Sequence, residues 1–177
     1  MTHPPELAQI ETVLGRSFIT TRALGEQQAF YATLPADAGP GRGDMLDRVR
    51  DHGLRWHALG LTVFVGLLNG DDDHGIFAIA NGKPIPLMTT FGVGSHNAFD
   101  GDIPQQAKRY MAQLFMMNRF VPYFIDPAGF KVNFLQPVPP ARAREIEEAI
   151  MAFAPESYDC ANEGVIVQTQ RLELWWD

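Results

Sequence analysis

Three things are scarce in this chain. Cysteine occurs once, at Cys160, so no internal disulfide can form. Lysine occurs three times against eleven arginines, a bias that reads as genome composition rather than chemistry. Long apolar runs are missing as well. The longest, Leu54 to Leu68, falls short of the roughly 20 residues a membrane-spanning helix needs. Internal repeats, heptads and low-complexity tracts are also missing, which argues against a solenoid or a coiled coil. The N-terminus MTHPPELAQIETVL lacks the basic-then-apolar order of a signal peptide. With a single Cys, it suggests a reducing cytoplasm.

What is present describes a globular domain. The 177 residues are 46% hydrophobic and 20% charged, and the length fits one domain over 1–177. The net charge of −7 disfavours a nucleic-acid binder, which needs clustered cations on phosphates, and disfavours an anionic membrane surface. It suits a basic protein partner, because opposite charge speeds encounter.

The run LRWHALGLTVFVGLL organises the rest. Trp56, Ala58, Gly60, Thr62 and Phe64 alternate with Leu59, Leu61, Val63, Val65 and Leu67. Both sets are mostly apolar, so the spacing predicts a strand covered on both faces, with bends or close backbone approach at Gly60 and Gly66. Before it, residues 5–14 predict an amphipathic helix stopped by Gly15, and residues 17–34 give two strands around Gly25. PADAGPGRG, residues 35–43, reads as a flexible loop, with Asp44 capping a helix that ends near Gly53. The tripeptide Arg42-Gly43-Asp44 marks that helix start rather than adhesion.

After the central run, Asn-Gly steps at Asn69 and Asn81 predict an antiparallel meander with strands near 54–68, 75–80 and 85–92. Two main helices follow, at about 102–120 and 141–154. Ala107, Tyr110, Met111, Leu114, Phe115 and Met117 form the buried arc of the first, capped by Asp102, and Met116 lies off it. Ile146, Ala149, Ile150 and Phe153 form the stripe of the second. Met151 lies off it, and Arg144 faces Glu148 one turn away. Between the helices, Phe130, Val132 and Phe134 alternate with Lys131 and Asn133 on a wet face. GVIVQT and RLELWWD close the chain as two short strands. The fold class is α+β, a mostly antiparallel sheet with helices packed on it.

The candidate chemistry is thin. Asp71, Asp72 and Asp73 with His74 suggest a solvated acidic turn, with a metal site at Asp71, Asp73 and His74 as the alternative. Contiguous aspartates diverge, where a calcium loop staggers its ligands. GVGSHN has Asn97 where the dinucleotide fingerprint needs its third Gly. Ser95 and His96 could join Asp100, Asp102 or Asp126 in a triad assembled in space, though no G-x-S-x-G elbow is present. Cys160 would need a histidine brought by the fold, and nearby acids would raise its pKa. His57 reads as a hydrogen-bonded, half-buried histidine. No motif calls for a cofactor. On a strand, Trp175 and Trp176 face opposite ways, so one packs near Leu172 or Leu174 and the other is open to a partner.

The order PVPPARAREIEEAIMAFAPESYDC followed by LELWWD resembles an uncharacterised bacterial domain family of unknown function ending in Trp-Trp-Asp. The matching positions are Pro139, Pro140, Ala149, Ala154, Glu156, Tyr158, Cys160, Trp175, Trp176 and Asp177. The resemblance covers residues 121–177 and carries no catalytic role. In general type the chain is similar to bacterial immunity proteins, which are small, acidic and without a catalytic signature. The expected function is therefore a non-catalytic binding protein, of immunity type, that covers the active site of a basic toxin. Asp71, Asp72, Asp73, Met116, Trp175 and Trp176 would form its contact surface. The alternative is a small hydrolase or metal-dependent enzyme using Ser95 and His96, Cys160, or the Asp71–His74 cluster.

Overall fold

In a computed structural model of the chain, the described residues are 4–24, 27–34, 40–67, 74–93 and 103–175. They form seven strands and seven α-helices, an α+β fold. The strands are β1 (Thr20–Leu24), β2 (Gln27–Thr33), β3 (Leu61–Leu67), β4 (His74–Ala80), β5 (Phe120–Asp126), β6 (Gly129–Phe134) and β7 (Arg171–Trp175). They make one sheet in the order β1-β2-β4-β3-β5-β6-β7. Every neighbouring pair is antiparallel except β3 and β5, which run parallel.

Two cores sandwich the sheet. On one face lie α1 (Pro5–Leu14) and α2 (Pro40–Ala58), whose Leu7, Ile10, Val49 and Trp56 pack with Val63, Val65, Ile76 and Tyr123. The other core is shared by α3 (Pro84–Thr90), α4 (Ile103–Met117), α5 (Pro140–Phe153), α6 (Tyr158–Ala161) and α7 (Glu163–Thr169). There Phe64, Phe77 and Phe91 form an aromatic nest, with ring centroids 5.0–5.4 Å apart. Such pairs add about 0.5–1.5 kcal/mol each beyond their buried area. Gly66 makes room for it, since a Cβ there would stand 2.4 Å from Phe91 Cε1.

The expectation for β3 holds over Leu61–Leu67, where Val63 and Phe64 enter opposite cores. The run does not begin as strand, however. Residues 54–58 are the last turn of α2, and Trp56 is a buried helix residue in line with Met45 and Val49. Gly60, at φ 83°, turns the chain from helix into strand. Helix α2 also begins at Pro40, so Arg42-Gly43-Asp44 is helical. Asp44 does not cap this helix but pairs with Arg48 inside it at 2.8 Å. Gly53 does not end it. Of the expected loop 35–43, residues 35–39 lie outside the described residues.

Three further corrections follow. Residues 85–92 are not the third strand of a meander: Pro84 occupies the first turn of α3, and Leu87, Met88 and Phe91 face the core. The strand beside β4 is instead β2. GVIVQT is helix α7, because Asn162 Oδ1 accepts from Val165 N at 3.1 Å and caps it. The predicted wet face of β6 is covered by α2, where the Asn133 amide donates to the Arg50 carbonyl at 2.8 Å.

The remaining helices agree better. Helix α1 matches its expected span, with Gly15 at φ 65° closing it. The helices expected at about 102–120 and 141–154 are α4 and α5, two of seven rather than the two main ones, and α2 is longer than either. Asp102 lies outside the described residues. Arg144 reaches Glu163 on α7 at 3.0 Å rather than Glu148.

Candidate functional site

The topology gathers polar groups at one end of the sheet. Strands β3 and β5 end there, at Leu67 and Asp126, while β4 starts there at His74. The pairs Leu67↔His74 and Gly129↔Trp175 put the end of β7 at the same edge. Asp126 is held by its own turn, its Oδ1 accepting from Ala128 N at 2.8 Å. Its other oxygen stands 3.4 Å from His74 Nε2, and the His74 ring stacks on Phe124 at 5.8 Å. Trp175 is half-buried. Both its backbone N–H and its carbonyl bond the Ser157 hydroxyl, at 3.0 and 2.8 Å. Phe124, Asp126, Lys131 and Trp175 border a cleft of about 180 Å3 at this end.

One step inward lies a polar network that the sequence reading missed. The Tyr123 hydroxyl donates to Glu173 Oε1 at 2.8 Å, and Lys131 Nζ meets Glu173 Oε2 at 2.7 Å. Lys131 and Glu173 are directly opposite on β6 and β7. Aligning FKVNF antiparallel to RLELW, with both apolar sets on one face, would have found the pair. Burial opposes charge on Glu173, but hydrogen bonds from Lys131 and Tyr123 outweigh it and hold its carboxyl below the usual range. Burial, and then the Glu173 charge, push the Tyr123 phenol well above its ordinary value.

This network has a pH consequence. A lowered folded-state pKa gives stability that is present above the unfolded value, about 4.3 for Glu, and lost as pH falls through the folded value. Urea midpoints of wild type should therefore fall more steeply below about pH 4.5 than those of Glu173→Gln. Parallel midpoint curves for the two proteins would remove this role for Glu173.

Cys160 lies in α6 at the rim of the same region. Asp159, Arg171 and Glu173 line its cleft of about 210 Å3, and none of the described histidines does. Burial, followed by Glu173, pushes the thiol up, against the thiolate that a nucleophile needs. His57 is half-buried as expected, but its Nδ1 is buried without a hydrogen-bond partner among the described residues. Met116 is 83% exposed on α4. That helix leads into Phe120 at the start of β5, so Met116 belongs to the opposite end of the sheet from Trp175. Asp71, Asp72, Asp73, Ser95, His96 and Trp176 lie outside the described residues. Among the described residues, no group of three His, Cys, Asp or Glu is placed to hold a metal. None of the described helices is long and apolar enough to cross a membrane.

These elements define an α+β domain on a seven-stranded mixed sheet with a polar, aromatic edge. Compared with family models, curated proteins and solved structures, the chain has no match.

Proposed function

We propose that this chain is a non-catalytic binding protein of bacterial immunity type. Its partner is a basic protein, a toxin whose active site it covers. One observation carries the reading: the sheet end where β3 gives way to β4 also holds the His74–Asp126 pair and Trp175. The sequence between those strands contains Asp71, Asp72 and Asp73. The acids of this connecting sequence and the half-buried aromatic supply the two halves of a contact surface. Charge brings the partner in, and a desolvated ring slows its departure. Met116, at the other end, has no part in it.

The raised thiol of Cys160 weighs against a thiolate nucleophile at that residue. The test is affinity purification of tagged protein from its host's lysate, followed by cross-linking. A stoichiometric basic protein, cross-linked beside Trp175 and residues 68–74, is expected. Trp175→Ala, melting near the wild-type temperature, should lose it. Cross-links confined to α4 and α5, or undiminished capture by Trp175→Ala, would refute this surface.

A further inference from the structure

Away from the sheet end, a cleft of about 430 Å3 opens between the β1–β2 hairpin, α3 and α4. We infer that it is a binding site for a small amphipathic carboxylate, an aliphatic chain ending in one anionic group. Leu24, Ile85, Pro86 and Leu87 supply apolar walls, and Lys83 and Lys108 stand at the rim.

The lysines carry the inference. The chain has three, and two of them border this one cleft. Lys131 is committed to Glu173 at 2.7 Å. Among the described residues, neither Lys83 nor Lys108 has a carboxylate within ion-pair distance, although acids outnumber bases by 21 to 14 in the chain. Two ammonium groups on one cleft of a chain of net charge −7 set a local positive potential, and a potential of that kind recruits an anion.

The position of Lys83 is fixed by its turn. Asn81 sits at φ 50° with its N–H on the Gly60 carbonyl at 2.8 Å, and the Gly82 carbonyl accepts from Thr62 Oγ1 at 3.3 Å. No Cβ would fit easily at Gly82, being 3.0 Å from Leu87 Cδ1 and 3.1 Å from Thr62 Cβ. Thr89 and Thr90 also line the cleft, but each hydroxyl donates back to its own helix, to Ile85 O and Pro86 O at 2.9 Å. Their protons are spent and Gln27, the other polar side chain of the lining, is neutral, so the positive charge that meets the anion comes from the two lysines. The volume lies within the range of small-molecule pockets, about 300–1,000 Å3, and the apolar walls need a tail to cover them.

Titration calorimetry with decanoate, below its micelle concentration, tests the site, with decan-1-ol and inorganic phosphate as controls. Decanoate should bind once per chain, decanol at least tenfold more weakly, and phosphate not measurably. Both lysines are exposed, so Lys83→Gln/Lys108→Gln should fold normally. It should bind decanoate about ten- to a hundredfold more weakly, the loss expected for hydrogen bonds to a charged group. Lys83→Arg/Lys108→Arg should restore most of the affinity. Failure of decanoate to bind, equal binding of decanol, tight binding of phosphate alone, or an undiminished Gln variant would each overturn the assignment.

Discussion

Gly129→Val should lower the melting temperature by about 10 °C, from a loss of roughly 3 kcal/mol. Gly129 begins β6 opposite Trp175, and a Cβ there would lie 2.2 Å from the Leu174 carbonyl oxygen and 2.9 Å from Trp175 Cα. Both obstacles are backbone, so no rotamer change relieves them. Strand β7 must move away, weakening its register with β6 and loosening the Ser157 bonds to Trp175. The same displacement separates Glu173 from Lys131, so the variant should also lose part of its acid sensitivity. Gly15→Ala is the useful contrast. Gly15 has open space around its missing Cβ but sits at φ 65°, so the cost is backbone strain alone, about 1–2 kcal/mol. Differential scanning calorimetry on the two variants separates space from strain. A Gly129→Val protein melting within about 2 °C of wild type would mean that β7 yields freely.

The contrast between these two glycines also marks what the sequence can reveal. Gly15 was legible because its role is local: an amphipathic run of Leu7, Ile10 and Leu14 ends, and a left-handed stop follows. Gly129 is critical only because β7 lies against it, and that pairing joins residues far apart in the chain. The same division runs through the fold. Helices α4 and α5 and the alternating strand β6 followed from periodicity. By contrast, the apolar alternation from Leu54 to Leu68 ran unbroken across a helix–strand boundary, because the buried face of α2 and the first residues of β3 happen to be adjacent. Val165, Ile166 and Val167 favour strand, yet the Asn162 cap and packing against α5 make them helix. The parallel pairing of β3 with β5 was invisible, since β4, α3 and α4 all intervene in the sequence.

Legibility of the candidate site was uneven for the same reason. Acidic residues and tryptophans could be picked out as residue types, but the meeting of His74 with Asp126 depends on that parallel pair. Lys131 and Asn133 looked solvated because their strand alternates. Nothing local announces that α2 lies over Asn133 or that Glu173 faces Lys131. Met116 was correctly placed off the buried arc of its helix, and its exposure was readable. Its distance from the other contact candidates was not, because the direction of β5 decides it.

With a purified partner, replacing Asp71, Asp72 and Asp73 together by Asn should slow association about tenfold or more at low salt. The substitution takes the net charge from −7 to −4, removing three charges from the connection beside His74. Oppositely charged surfaces raise the encounter rate before contact, so the effect belongs to the association rate and not to dissociation. It is also screened, because the Debye length shrinks to about 10 Å at 0.1 M salt and about 3 Å at 1 M. Stopped-flow association measured from low to high salt should therefore show wild type falling toward the variant as the two curves converge. Trp175→Ala should behave in the opposite way. Its association should keep the wild-type salt dependence while dissociation accelerates, because a ring withdrawn from water holds the complex after it forms. The pair of variants assigns each half of the surface its own rate constant. An association rate that is unchanged by the Asn substitutions, and independent of salt in wild type, would remove electrostatic steering from this protein. A dissociation rate untouched by Trp175→Ala would refute this sheet end as the contact surface.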